Sequence, residues 1–139
     1  MIIWPGYAEK ALQKTLISIV DDNAAILAAM RALVRSMGFK VEIFASAHEI
    51  LSSPRALDKS SCLIVDFQMP QMTGIELFEK LKELEIYIPT ILMTAYSTPA
   101  IVAKAQEVGI MCCFSKPLDG DQLLECIQQA ILLGREQSP

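Results

Sequence analysis

The feature that most restricts how this chain can fold is a recurring unit. A short apolar run ends in a charged or polar residue, and an amphipathic stretch of helical period follows. Cys62-Leu63-Ile64-Val65, ending at Asp66, is the sharpest case. Four consecutive apolar residues leave no face for water. The segment therefore reads as a central strand covered on both sides, not as an alternating strand of a half-solvated sheet.

The same unit is read along the whole chain. Strands are expected at residues 15–20, 40–44, 62–65, 90–93 and 110–114, and helices at 23–37, 47–52, 73–84, 98–109 and 119–133. The first helix carries Ile26, Met30, Leu33, Val34 and Met37 on one stripe, and Gly38 stops it as a C′ glycine does. The second helix is expected to halt near Pro54, with 57–61 a polar loop. Thr73 and Glu76 have capping-box spacing, as do Asp119 and Gln122. Thr98 precedes Pro99 as a cap precedes a first-turn proline, and Gly109 ends that helix. Five strands alternating with five helices form a (βα)5 pattern. That alternation implies an α/β fold with a parallel sheet, helices on both faces and right-handed crossovers. Residues 1–14 read as a lead-in, 15–133 as one domain, and 134–139 as a tail or linker stub.

Composition narrows the functional classes. The 139 residues suit one domain, and 53% hydrophobic with 20% charged residues supports a packed core. A net charge of −4 gives no electrostatic case for nucleic acid or an anionic membrane. No apolar run approaches the roughly 18 residues of a membrane span, and the first residues do not read as a signal peptide, so a cytoplasmic location is expected. Cys62, Cys112, Cys113 and Cys126 form no C-x-x-C pair, and His48, the single histidine, has no nearby ligand partner. These cysteines are expected to be reduced thiols in the core, not zinc ligands, and His48 a surface residue.

In open α/β sheets, ligands bind beyond the carboxyl ends of the strands. The residues at those ends are Asp21 and Asp22 after the first strand, Asp66 after the third, Thr94 after the fourth and Lys116 after the fifth. Three carboxylates at close range repel one another, and a divalent cation relieves the repulsion. Oxygen ligands of this kind suit Mg²⁺. A carboxylate beside such an ion can act as a nucleophile toward a phosphoryl group. Lys116 and Thr94 could hold the phosphoryl oxygens.

Five segments in this order resemble the receiver domain of bacterial two-component response regulators. They are Val20-Asp21-Asp22-Asn23, residues 63–70 with Asp66 and Pro70, Met72-Thr73-Gly74, Met93-Thr94-Ala95 and Ser115-Lys116-Pro117. The resemblance implies a doubly wound, flavodoxin-like five-stranded parallel sheet of strand order 2-1-3-4-5. It implies Asp66 as phosphoacceptor and Asp22 as a direct Mg²⁺ ligand, with Asp21 assisting largely through water. The backbone carbonyl of Gln68 would be a further ligand. Thr94 and Lys116 would contact the phosphoryl group, and Pro117 would shape the turn that aims Lys116. The donor would be a histidine kinase or phosphotransfer protein. The fourth predicted helix, fifth strand and fifth helix would form the responsive face and a homodimer surface. Such a chain is a signalling switch and not an enzyme, catalysing only its own phosphorylation and dephosphorylation. Tyr96 and Gln68 fall at cleft-rim positions that tune phosphoryl lifetime or partner contact.

One position departs from the family pattern. An aromatic switch residue is usual three residues before the lysine, where this chain has Cys113, with Phe114 one later. Phosphorylation is expected to survive and its coupling to the output face to change. An alternative function is a phosphorylation-independent interaction module on the same scaffold, but its mark would be loss of Asp66, Asp22 or Lys116. An aspartyl phosphatase would show Asp-x-Asp after the first strand, and a flavin carrier would show a Ser/Thr/Gly-rich loop there. This chain has Asp21-Asp22-Asn23.

Overall fold

The computed structural model describes residues 15–116 and 119–137, with side chains through Gly134. The expected lead-in (1–14), Pro117 and residues 138–139 lie outside the described residues. In chain order the elements are β1 (Leu16–Val20), α1 (Ala24–Ser36), β2 (Lys40–Phe44), α2 (Ala47–Leu51), α3 (Pro54–Lys59), β3 (Ser60–Asp66), α4 (Gly74–Glu83), β4 (Thr90–Thr94), α5 (Pro99–Val108), β5 (Cys112–Ser115) and α6 (Gly120–Gln137). All strand pairings are parallel, in the order β2-β1-β3-β4-β5 expected from the sequence.

Alternation along each strand divides the core into two layers. Leu63 and Val65 of β3, with Val20 and Leu92, pack against Ile50 of α2, Ala56 of α3, Leu77 and Leu81 of α4 and Ala105 of α5. Cys62 and Ile64 of the same strand, with Ile17, Ile19, Ile91 and Met93, face Leu27, Met30 and Val34 of α1 and Leu123, Ile127 and Ala130 of α6. The uninterrupted apolar run of β3 is thus explained by burial on both faces. Each fully buried Leu or Ile contributes about 1.5–3 kcal/mol by leaving water.

Most helix ends follow the sequence signals. The Asn23 side chain accepts from the amides of Ala25 and Ile26 at the start of α1. Thr73 and Glu76 form the reciprocal capping box of α4. Thr98 caps α5 ahead of Pro99, and α5 ends at Gly109 with φ +104°, a left-handed conformation that glycine adopts without steric penalty.

Four sequence expectations are corrected. First, the segment expected as a polar loop at 57–61 is instead divided between α3 and the start of β3. Pro54 does not merely stop α2. It sits in the first turn of α3, where its missing N–H removes a donor that would have had no intrahelical acceptor, and Ser53 Oγ accepts from the Ala56 amide at 3.4 Å. Second, α6 continues through Gly134 to Gln137 where a tail was expected from residue 134. A glycine inside a helix costs only about 1 kcal/mol and does not remove a backbone bond. Third, β5 begins at Cys112 and not at residue 110, because the Ile110 amide turns back to the Ala105 carbonyl at 2.9 Å to close α5. Fourth, Leu27 is buried on α1, whereas Ile26 and Leu33 of the expected stripe are only partly covered.

The helical state of α3 has a direct test. Ala56 is fully buried. Replacing it with Gly removes a buried methyl, about 0.8 kcal/mol, and adds a helix-propensity cost of about 1 kcal/mol. Ala56→Gly should therefore lower the free energy of unfolding by roughly 1–2 kcal/mol in guanidinium chloride titrations. A midpoint equal to that of the wild type would show that the segment is not a packed helix.

Candidate metal and phosphoryl site

Five side chains named from the sequence stand at the carboxyl edge of the sheet, and four of them, Asp21, Asp66, Thr94 and Lys116, are positioned by a backbone hydrogen bond or a strand end. The amide of Asp21 donates to the Phe44 carbonyl at 3.1 Å, which ties the end of β1 to β2. Asp66 closes β3 opposite Met93, and the following Phe67 amide donates to the Met93 carbonyl at 2.7 Å. Thr94 is the last residue of β4, and its carbonyl accepts from the Lys116 amide at 2.9 Å. The parallel ladder therefore sets these residues side by side although they are far apart in sequence.

One carboxylate oxygen from each of Asp21, Asp22 and Asp66 lies within 4.8 Å of the others. Lys116 Nζ sits 3.0 Å from Asp66 Oδ1 and 3.1 Å from Asp21 Oδ2. Asp21 is fully buried and satisfied, since its Oδ1 accepts from the Asn23 amide at 2.9 Å. Asp66 is 5% exposed, and Asp22 is exposed. Among the described residues no hydrogen bond or ion pair engages Oδ2 of Asp66.

These positions shape the electrostatics. Burial pushes the Asp66 carboxyl above the usual carboxylate range. The Lys116 ammonium opposes that rise, and the Asp21 and Asp22 charges add to it. Burial alone would lower the Lys116 pKa, but its two carboxylate partners outweigh that effect and hold it above the ordinary lysine value. With all three carboxylates ionised, one lysine leaves an excess of two negative charges in the cluster. A hard divalent cation with oxygen ligands matches both that charge and that donor set. The residues present thus fit Mg²⁺.

The remaining named residues are less directly engaged. The Thr94 side chain is buried, and its hydroxyl donates to the Tyr96 carbonyl at 3.1 Å while accepting from the Tyr96 amide at 3.2 Å. Its hydroxyl is engaged within its own loop, and among the described residues it makes no hydrogen bond to Asp66. Tyr96 is 78% exposed, and Gln68 is exposed in the loop after β3. His48 is exposed on α2. Cys113 is partly buried in the layer of α4 and α5, whereas Phe114 packs in the opposite layer. An aromatic side chain at 114 cannot stand in for one at 113, because adjacent strand residues face opposite sides.

Gly74 has a role that spacing alone does not disclose. A Cβ there would lie 2.6 Å from the backbone oxygen of Asp66 and 2.8 Å from a methyl of Leu92. The Gly74 amide donates to the Phe67 carbonyl at 3.0 Å. The start of α4 is thus seated on the backbone of Asp66, and only a residue without a side chain allows that approach. The visible signal was a glycine directly after the Thr73 cap.

Comparison with known proteins gives a consistent picture. A family model described as response regulator receiver domain matches residues 17–128. The response regulator protein TmoT of Ectopseudomonas mendocina is 38% identical over 125 residues, covering 90% of this chain and 56% of that protein. The response regulator protein TodT of Pseudomonas putida is 37% identical over 132 residues, covering 95% of this chain and 58% of TodT. The chain therefore spans little more than half the length of these relatives. Among solved structures, the response regulator StyR superposes with a TM-score of 0.82 at 34% identity, over 89% of this chain and 62% of StyR. The crystal structure of FixJ-N gives a TM-score of 0.78 at 27% identity, over 91% and 98%.

Two outcomes are expected from this geometry. Gly74→Ala should destabilise the fold by about 2 kcal/mol or more, since the new methyl meets the Asp66 backbone as well as the buried Leu92 side chain. It should also weaken Mg²⁺ binding. Unchanged melting together with unchanged metal affinity would refute the close approach. The second outcome concerns pH. The native state holds the Asp66 proton more tightly than the unfolded chain does. Stability contributed by the protonated form is present below the unfolded pKa and is lost as pH rises through the higher native one. Melts in chelator should therefore show Asp66→Asn gaining on the wild type as pH rises from about 4 to about 7. Saturating Mg²⁺ should shrink that gain. A difference that is flat or falls with pH would contradict the shift.

Proposed function

The chain belongs to the response regulator receiver domain family, and from that membership we propose that it is a phosphoacceptor switch in which Asp66 takes a phosphoryl group from a phosphohistidine of a histidine kinase or phosphotransfer protein. The observation that carries the proposal is the joint placement of Asp21, Asp22, Asp66 and Lys116, with three carboxylate oxygens within 4.8 Å and one ammonium bridging two of the acids. Asp21, Asp22, Asp66 and the backbone carbonyl of Gln68 would hold Mg²⁺. When bound, the ion neutralises charge on the carboxylates and on the transferring group.

The chain's own residues have the following roles. Oδ2 of Asp66, which no described side chain engages, attacks phosphorus in line. The phosphorus–nitrogen bond of the donor breaks, and its electron pair returns to the imidazole. Lys116 keeps Asp66 oriented through Oδ1 and then follows the developing negative charge on the phosphoryl oxygens. The product adds roughly −1.5 to −2 charges at neutral pH. Thr94, released from the Tyr96 backbone, donates its hydroxyl to a phosphoryl oxygen. The loop after β4 moves with it, and the balance between two arrangements of the α5, β5 and α6 face shifts. Hydrolysis of the acyl phosphate resets the site. Cys113 leaves the space beside β4 without a large gating side chain, so coupling between site and face differs from that of relatives with an aromatic there.

Incubation with acetyl phosphate and Mg²⁺ should raise the intact mass by one phosphoryl group. Asp66→Asn should abolish the gain, chelator should abolish it, and Lys116→Met should slow it by roughly 10²-fold. A gain in both wild type and Asp66→Asn, or in neither, would refute the assignment. Cys113→Tyr should leave the mass gain intact while changing how far phosphorylation alters affinity for the cognate partner. An unaltered ratio of affinities would remove Cys113 from the coupling path.

A further inference from the structure

The parallel strands all begin at one edge of the sheet, opposite the acid cluster, and two grooves meet there. The first is a cleft of about 480 Å³ beside the start of β3, lined by Pro54, Leu57, Ser60 and Ile86. The second is an apolar pocket of about 230 Å³ towards the ends of α4, α5 and α6, lined by Phe78, Val108, Met111 and Leu133. Tyr87 and Ile88 line both, so the two form one track. Tyr87 is 67% exposed and Leu133 39%, which leaves large apolar side chains facing water along it. The pocket wall is held in place. Lys82 Nζ donates to the Val108 carbonyl at 2.8 Å and lies 5.6 Å from the centre of the Phe78 ring.

The track begins where the described residues begin. The Thr15 carbonyl accepts from the Lys40 amide at 3.0 Å, and the next residue, Leu16, pairs with Ser60 of the first groove. Residues 1–14 precede this point, and Met1-Ile2-Ile3-Trp4-Pro5-Gly6-Tyr7-Ala8 contains no charged side chain. A segment of that composition gains by covering apolar surface. It is also long enough to do so. The strand order puts β5 three strands from β1, about 14 Å at the usual inter-strand spacing. The stretch from Trp4 to Thr15 covers roughly 36 Å when extended and about 16 Å when helical, so either conformation reaches the far pocket.

We propose that this track is the docking site of the chain's own first residues, with Trp4 seated in the apolar pocket. The pocket is smaller than the roughly 300–1,000 Å³ clefts that take drug-sized ligands, and it suits one large side chain. Its walls match an indole, since Phe78 offers a ring for an aromatic contact and Met111 a thioether. Tethering favours this occupant over a separate molecule. A short linker holds its own anchor at a millimolar effective concentration, so a contact too weak to retain a free peptide closes within one chain. The docked arm would lie across the starts of β3, β4 and β5 and cover Tyr87, where the two grooves meet.

Trp4 is the single tryptophan, so its fluorescence reports on the arm in the full, unlabelled chain. Its emission should be blue-shifted, and its quenching by acrylamide several-fold weaker, relative to a synthetic peptide of residues 1–14. Both should be independent of protein concentration. Tyr87→Glu and Leu133→Asp place charge in the track at exposed positions. Each should move emission and quenching toward the peptide's values with the far-UV circular dichroism unchanged. Leu132→Asp alters an exposed neighbour outside the pocket lining and should change neither. Peptide-like emission from the wild type, which needs no variant, would overturn the proposal. So would protection that survives both track variants, protection lost equally in Leu132→Asp, or protection that falls on dilution, the mark of an arm held by a second copy.

Discussion

The structure turns on a repulsion that it does not remove. Three carboxylates share the carboxyl edge of one sheet, and a single ammonium bridges two of them. Repulsion of this kind normally disperses acids over a surface. Here the backbone prevents dispersal, because Asp66 closes the β3–β4 ladder and backbone hydrogen bonds just past the strand ends hold Asp21 and Lys116. The residual negative charge is a standing preference for a dication. Burial, with a smaller push from the neighbouring acids, raises the Asp66 carboxyl, and the two acids raise Lys116 against its own burial.

The core exists in two layers because the central strands alternate between them. That division decides more than stability. It sends Cys113 toward the layer of α4 and α5, on the side where Leu92 packs, and sends Phe114 the other way. It also places Cys112 in the layer of α1 and α6, the layer that Cys126 packs against. Cys112 and Phe114 thereby face one layer of the core, and Cys113 between them faces the other.

Much of this was legible in the sequence. The apolar runs, the caps at Asn23, Thr73 and Thr98 and the glycines at 38 and 109 are local signals, and the elements they mark are present within a residue or two. The acids, Thr94 and Lys116 were recognisable because strand ends in such a sheet point to one edge. What was misread was also local. Ser53-Pro54 carries start and stop signals at once, and the apolar content of α3 is too small for its helical period to register. Gly134 looked like a terminus, whereas α6 continues past it.

The sequence by itself determined the elements, their order and the chemical kinds of residue at the strand ends, because those depend on periodicity and on neighbours a few residues away. Only the tertiary structure decided which groups touch. The bridging of Asp21 and Asp66 by Lys116 and the seating of Gly74 on the Asp66 backbone both follow from strand register and helix placement. The physical reason is that a contact between distant residues is set by packing of the whole core, and no local pattern encodes the distance at which two elements come to rest.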